Sequence, residues 1–280
     1  MRVRFLCIIA FLLSLTACVT PVPDRYNDPA LTVQLRQLIQ ATPTDALLLG
    51  EQHDAPDHQR IHLRVIAHLI SQQRLAALAL EMAEAGQSTT RLDPQASETQ
   101  VRAALQWNNL AWPWSAYGPA VMEAVRAGIP VIGANLPGDR LRPAMGEPRF
   151  DRLLPASALK IQQQNIRQGH CDLLPESQIG PMTRIQIARD ESMAQTLMQA
   201  AQPGKTVVLL AGSGHVDRNL GIPRYLAPDF KVQTIFLQTQ QTPQSTAQFD
   251  QVWPATPAPV VDYCARFRVQ QKQPAAADPP

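Results

Sequence analysis

Five runs of nearly unbroken apolar residues mark the chain: ALLLG at 46–50, LAALALEM at 75–82, IPVIGAN at 129–135, KTVVLLAG at 205–212 and KVQTIFLQ at 231–238. Runs this short, without polar alternation, fit strands buried on both faces, as in a parallel sheet covered by helices. Between them the pattern changes to a helical period. It predicts helices over about 31–40, 57–73, 97–108, 117–127 and 180–201. In the second of these, Ile61, Val65, Ile66, Leu69 and Ile70 share one side, Pro56 suits the first turn, and Asp54 is the expected N-cap. Residues 136–204 carry no strand pattern and read as a helical insertion, lid-like in character, before the fourth strand. The fold class that follows is α/β, a mostly parallel central sheet flanked by helices.

Composition narrows this picture. With 280 residues, 45% hydrophobic and 17% charged, the chain is long and apolar enough for a packed core. A net charge of +2 provides no polybasic signature, so no nucleic-acid partner is expected. The N-terminus reads as a targeting segment: MRVR supplies positive charge, FLCIIAFLLSL an apolar stretch too short to span a membrane comfortably, and LTAC a terminus at Cys18. Leu15-Thr16-Ala17-Cys18 resembles the lipobox of bacterial lipoproteins, which implies acylation of Cys18 and a lipid anchor. The competing reading is an ordinary secretory signal with an incidental cysteine. Val19 after the cysteine points, by the same resemblance, to the outer membrane, facing the periplasm or the surface. Residues 19–30 then form a tether, 31–268 the domain, and 269–280 a disordered tail. With Cys7 and Cys18 in the leader, Cys171 and Cys264 remain. An oxidising compartment would allow them to pair, and the alternative is a free thiol near a site.

Ligands of open α/β sheets sit beyond the carboxyl ends of the strands, so the residues at those ends hold the candidate chemistry. The first strand runs into Gly50-Glu51-Gln52-His53-Asp54, the second carries Glu81, the third ends at Asn135, and the fourth runs into Gly212-Ser213-Gly214-His215. The pattern G-x-x-H therefore follows two different strands. Glycine permits close backbone approach, histidine offers nitrogen donors, and carboxylates offer hard oxygens or proton acceptors. Glu51, His53, Glu81 and His215 are expected to converge on one rim. Glu81 lies in an apolar run, where an unpaired carboxylate is costly. His58 and His62 stand four residues apart, without the internal glutamate of metalloproteases; His58 is kept as a site candidate, while His62 and His68 are expected at the solvated surface. GSG at 212–214 fits neither G-x-G-x-x-G nor the G-x-S-x-G nucleophile elbow.

The segments LLLGEQHDAPDHQ, LALEM, WPWSAYGPAVMEAVRAGIPVIGANLP, GHCDLLPES, QIARDESMAQTLM and VVLLAGSGHVDRNLGIPRYL occur in order from about 46 to 226. Together they resemble the ChaN-type haem-binding lipoproteins, part of a broader group with the Tiki proteases and erythromycin esterases. The resemblance implies an outer-membrane α/β domain linked to iron acquisition, a haem-bridged homodimer, an outer-membrane haem receptor as partner, and tyrosine as an iron ligand. Tyr117, inside WPWSAYGP, is the first tyrosine candidate, with a packed, hydroxyl-satisfied aromatic as its alternative; Tyr225 is the second. His170 either approaches the cofactor or caps a helix. Met182, Ile185, Met193 and Leu197 form either an apolar cofactor wall or core. Arg218 and Arg224 are candidates for the propionates, and Arg189 for those or an internal pair.

Two functions compete. One is noncovalent haem binding, since no C-x-x-C-H motif occurs, with His53, His58, Glu81, Tyr117 and His215 around the cofactor. The other is a metal-dependent hydrolase in which Glu51, His53 and His215 hold a divalent metal and Glu51 or Glu81 activates water. A structural lipoprotein without a ligand ranks last, because it leaves the strand-end acids and histidines unexplained.

Overall fold

The computed structural model describes residues 29–40, 44–239, 248–257, 261–265 and 268. The expected signal segment with Cys18, the tether up to residue 28 and the tail 269–280 lie outside the described residues. Helix α1 (Pro29–Gln40) precedes β1 (Ala46–Glu51), α2 (Pro56–Ser71) and β2 (Leu75–Glu84). Then come α3 (Glu98–Ala104), α4 (Trp114–Arg126) and β3 (Val131–Asn135). Three helices, α5 (Gly138–Met145), α6 (Ala156–Gly169) and α7 (Glu176–Ala200), separate β3 from β4 (Thr206–Gly212), the helical insertion expected over 136–204. The chain closes with β5 (Val232–Gln238) and β6 (Gln251–Pro254).

The six strands form one sheet in the order β3-β2-β4-β1-β5-β6, and every neighbouring pair is parallel. The sixth strand was not expected. QVWP is short, and it pairs only at the sheet edge, where Trp253 packs into the core. Side-chain alternation divides the core into two layers. Leu47, Leu49, Leu78, Leu80, Val208 and Leu210 face α1–α4. Ala77, Ala79, Val207, Leu209 and Ala211 face Met193, Ala194 and Leu197 of α7. Most strand residues on this second face are small, which lets α7 pack close to the sheet. Met193 and Leu197 are thus core rather than a cofactor wall. α5 and α6 pack outside α7 through Phe150, Leu154, Ala158, Ile187 and Ala188.

Two local expectations need correction. The N-cap of α2 is Ala55, not Asp54, because Pro56 occupies the first turn and no side chain caps the helix; Asp54 instead accepts from Gln52 Nε2 and from the Tyr263 hydroxyl. His62 and His68 are not solvated: His62 is buried, as is the site candidate His58, and His68 is half-buried. His58 and His62 fall on the same stripe as Val65 and Leu69, the helix face turned to the sheet. Cys171, in the turn between α6 and α7, forms a disulfide with Cys264 and ties the C-terminal segment to this hairpin.

Candidate functional site

Strand order places the site. From β1 the chain crosses to β2 through α2 on one face, and from β4 it crosses to β5 on the other, past Val216 and Ile222. Neighbouring strands whose connections depart in opposite directions leave a crevice at their carboxyl ends. β1 ends there in Glu51, β4 in Gly212, and His53 and His215 follow. Pleating then decides direction. Glu51 continues the Leu47–Leu49 row and enters the α2–α4 layer, whereas Glu81 continues Ala77–Ala79 and enters the α7 layer.

Around Glu51, the Tyr117 hydroxyl donates to Oε1 at 2.6 Å and His53 Nδ1 meets the same oxygen at 2.7 Å. His62 Nδ1 stands 3.4 Å from Oε2. Around Glu81, Oε2 accepts the Gly212 N–H at 2.7 Å and Oε1 lies 3.4 Å from His215 Nε2. The other ring nitrogen of His215 meets Asp190 of α7 at 2.5 Å. His53 joins the two halves, its Nε2 lying 3.9 Å from Glu81. The result is a continuous alternation of imidazole and carboxylate: His62, Glu51, His53, Glu81, His215, Asp190. Gly212 makes the crossing possible, because a Cβ there would lie 3.0 Å from His53 Nε2.

The charges follow from burial and partners. Burial raises the Glu51 pKa, but the His53 hydrogen bond, His62 and Tyr117 outweigh it and hold it below the usual value. Burial likewise opposes Glu81, yet the charge of His215 and the bonds from His215 and Gly212 bring it to about 2. His215, although buried, is raised to about 10 by Glu81 and Asp190. Asp190 is raised to about 6 by burial, since it shares one imidazolium with Glu81. Burial lowers His53, but Glu51 and Glu81 leave it net raised. Burial lowers His58 to about 4 and also lowers His62, so both are neutral near pH 7.

The rim predicted from sequence is therefore one assembly in which Glu51, His53, Glu81 and His215 meet. His62, expected at the solvated surface, belongs to it, and so does Asp190, which the sequence reading did not single out. Asp190 carried a signal: it falls on the helical stripe Ile187–Asp190–Ala194–Leu197, an acid among apolar residues. His58 sits one step behind, its Nδ1 accepting the Gln52 N–H at 2.9 Å. Tyr117 is buried with its hydroxyl given to Glu51, the packed alternative, because α4 turns it into the core. His170 caps α6 and bonds the Ile166 carbonyl. Arg218 is committed to Asp250 and the Val232 carbonyl rather than free for a propionate.

The donor set does not make a metal triad of Glu51, His53 and His215. Glu51 and His215 lie on opposite faces of the sheet and each is already paired. Among the described residues no group of three or more such side chains is placed to hold a metal ion. The open element is His53, whose side chain is 40% exposed and packs edge-on against Trp112, with ring centroids 4.8 Å apart. Trp112 and Glu81 both line a neighbouring cleft of about 190 Å³, whose walls also include Met82, Leu136, Leu141 and Arg189.

Comparison with known proteins agrees with this architecture. The family described as haem-binding uptake, Tiki superfamily, ChaN matches residues 38–226. The fold is similar to that of ChaN of Campylobacter jejuni, whose structure was determined for cofacial haem binding: 22% identity over 80% of this chain and 94% of that one, TM-score 0.64. It is also similar to the type III effector HopBA1, at 14% identity, 82% and 94% coverage and TM-score 0.54. No curated protein matches the sequence.

Proposed function

The chain belongs to the ChaN-type haem-binding uptake family of the Tiki superfamily, and we propose that it binds haem noncovalently as an outer-membrane lipoprotein serving haem or iron acquisition. The observation that carries this reading is the carboxylate-held imidazole of His53 at the margin of the cleft. Glu51 engages Nδ1 and fixes the ring, and Nε2, 3.9 Å from Glu81, is the nitrogen that would meet a ligand once the ring has lost its proton. Trp112, Leu136 and Leu141 supply the apolar part of a cleft wall that is otherwise polar. His53 would hold the haem iron through Nε2, and haem, when bound, would supply an iron that accepts a nitrogen ligand. The raised pKa of His53 sets a condition: haem must displace a proton, so binding weakens as the solution becomes more acidic.

A cleft of about 190 Å³ is smaller than the roughly 300–1,000 Å³ that encloses a small ligand. A cleft of this size would cover only part of a haem, which supports a homodimer bridged by haem. The lipobox at 15–18 supports acylation of Cys18 and a membrane anchor, and an outer-membrane haem receptor is the natural exchange partner.

A hemin titration followed by absorbance tests this, with metal content assayed on the same preparation. Saturable binding at fixed stoichiometry is expected, with a histidine-type spectrum lost in His53→Ala and kept in Tyr117→Phe. Failure to bind hemin specifically, with stoichiometric zinc or manganese in the preparation, would overturn the reading.

A further inference from the structure

The C-terminal segment reaches the site at Asp54. Tyr263 gives its hydroxyl to the Asp54 carboxylate, and the next residue, Cys264, is bonded to Cys171. Asp54 itself follows His53. The Ala55 N–H bonds the Gln52 carbonyl at 3.0 Å, so His53 and Asp54 are the two corner residues of a β-turn between β1 and α2. Inside that turn Asp54 also accepts from Gln52 Nε2 at 2.9 Å. Holding Asp54 therefore holds the turn that seats the His53 ring against Glu51 and Trp112.

The partner cysteine comes from the opposite layer. Helix α7 covers the sheet with Met193 and Leu197, meets His215 through Asp190 at the strand ends, and continues past them. Its first residue, Glu176, stands roughly 21 Å beyond Asp190 at 1.5 Å per residue, and Cys171 lies in the turn before it. Tyr263 and Cys264 thus join the α7 layer to the turn that leads into the α2 layer. The Cys171 turn is strained, because Cys171 and Asp172 both have left-handed backbone, φ 60° and 56°, which persists where surrounding contacts impose it. Among the described residues, the other hydrogen bonds of 261–265 are internal, from the Tyr263 N–H to the Val261 carbonyl and from the Ala265 N–H to Asp262. Tyr263 is 51% exposed. One exposed hydrogen bond does not outweigh the conformational freedom lost by an ordered segment, whereas a covalent closure removes most of that freedom beforehand.

We infer that the Cys171–Cys264 pair is a redox clamp on the turn that carries His53. Oxidised, it keeps Tyr263 on Asp54 and the imidazole seated. A dithiol reductant opens it: the protein's sulfur–sulfur bond breaks, two electrons and two protons convert its sulfurs to thiols, and the reductant closes its own disulfide. Tyr263 then leaves Asp54, the turn loosens, and His53 becomes more accessible. The clamp acts on the turn, so it stands or falls independently of which ligand His53 meets.

The test is carbethoxylation by diethyl pyrocarbonate at one fixed pH, mapped by peptide mass spectrometry on the purified full chain before and after treatment with dithiothreitol and desalting. Reduction should raise the rate at His53 by about fivefold, the equilibrium equivalent of one net hydrogen bond, and leave His68, in the last turn of α2, unchanged. Cys171→Ser combined with Cys264→Ser should show the fast rate without reductant. Tyr263→Phe, which keeps the disulfide, should show it in both redox states, and it keeps the test open should the serine variant misfold. Equal His53 rates in the oxidised and reduced parent overturn the inference, as does a slow rate in oxidised Tyr263→Phe. Equal acceleration of His53 and His68, or loss of the circular dichroism signal on reduction, also overturns it, by making the disulfide a staple of the whole fold.

Discussion

The Glu51 and Glu81 halves of the site are built from the same residue types and end up in different states. Glu81 lies against an imidazolium that a second acid, Asp190, also holds, and all three are buried, with Glu81 reaching the cleft only at its edge. Glu51 is held by a tyrosine hydroxyl, a neutral buried His62 and the part-exposed His53. A buried charge is tolerated only when paired, and the Glu81 half is closed on itself by that requirement. The Glu51 half gives Oε1 to Tyr117 and His53 and leaves Oε2 without a hydrogen bond, 3.4 Å from His62, and its His53 imidazole stays part-exposed. One half anchors the crevice, the other presents it.

The largest effect should come from breaking the closed half. His215→Ala strands Glu81 and Asp190, and losing one partner of a buried ion pair costs about 3–5 kcal/mol. Urea unfolding should show this as a lower midpoint; a loss under ~1 kcal/mol would mean that the Glu81 half is no anchor. The pH profile separates the halves next. His58 has a folded pKa of about 4 against 6.5 unfolded, so the unfolded chain takes the proton more readily. Stability is then full above 6.5 and falls as the pH drops toward 4, by about 3 kcal/mol at 1.36 kcal/mol per unit. His215 has the opposite sign: its folded value of about 10 exceeds 6.5, so its contribution is complete below 6.5 and lost as pH rises through 10. Glu81, lowered from 4.5 to about 2, contributes fully above 4.5 and loses this as pH falls through 2. Unfolding midpoints at pH 2, 4, 7 and 10 read these limbs, and His58→Gln should make the one between 6.5 and 4 shallower, leaving the share that His62 contributes with the same sign.

Tyr117→Phe sharpens the contrast at smaller cost. Removing one neutral donor from Glu51 should destabilise by ~1.5 kcal/mol and leave the hemin spectrum intact; loss of the Soret change would move the iron ligand to Tyr117. The smallest stability effect belongs to His53→Ala, within about 1 kcal/mol for a part-exposed residue, although hemin binding should vanish. A large destabilisation there would make His53 a structural member like His215.

Much of this was legible in the sequence. Five of the six strands announced themselves as apolar runs, because a strand buried on both faces must be apolar throughout. The strand-end motifs named Glu51, His53, Glu81 and His215, because chain departure at a carboxyl end puts chemistry there. Asp190 and His62 were readable only as polar residues on apolar helix stripes, a pattern that marks burial without naming the partner. What the sequence could not settle was which side of the sheet each acid would enter and what would meet it. That depends on strand order and on which helices cover each face, contacts between residues such as Glu51 and Tyr117 that lie 66 positions apart. Local periodicity determined the elements and the rim. Only tertiary packing decided that one carboxylate would be sealed with its imidazolium, and that the other would hold a histidine open to a ligand.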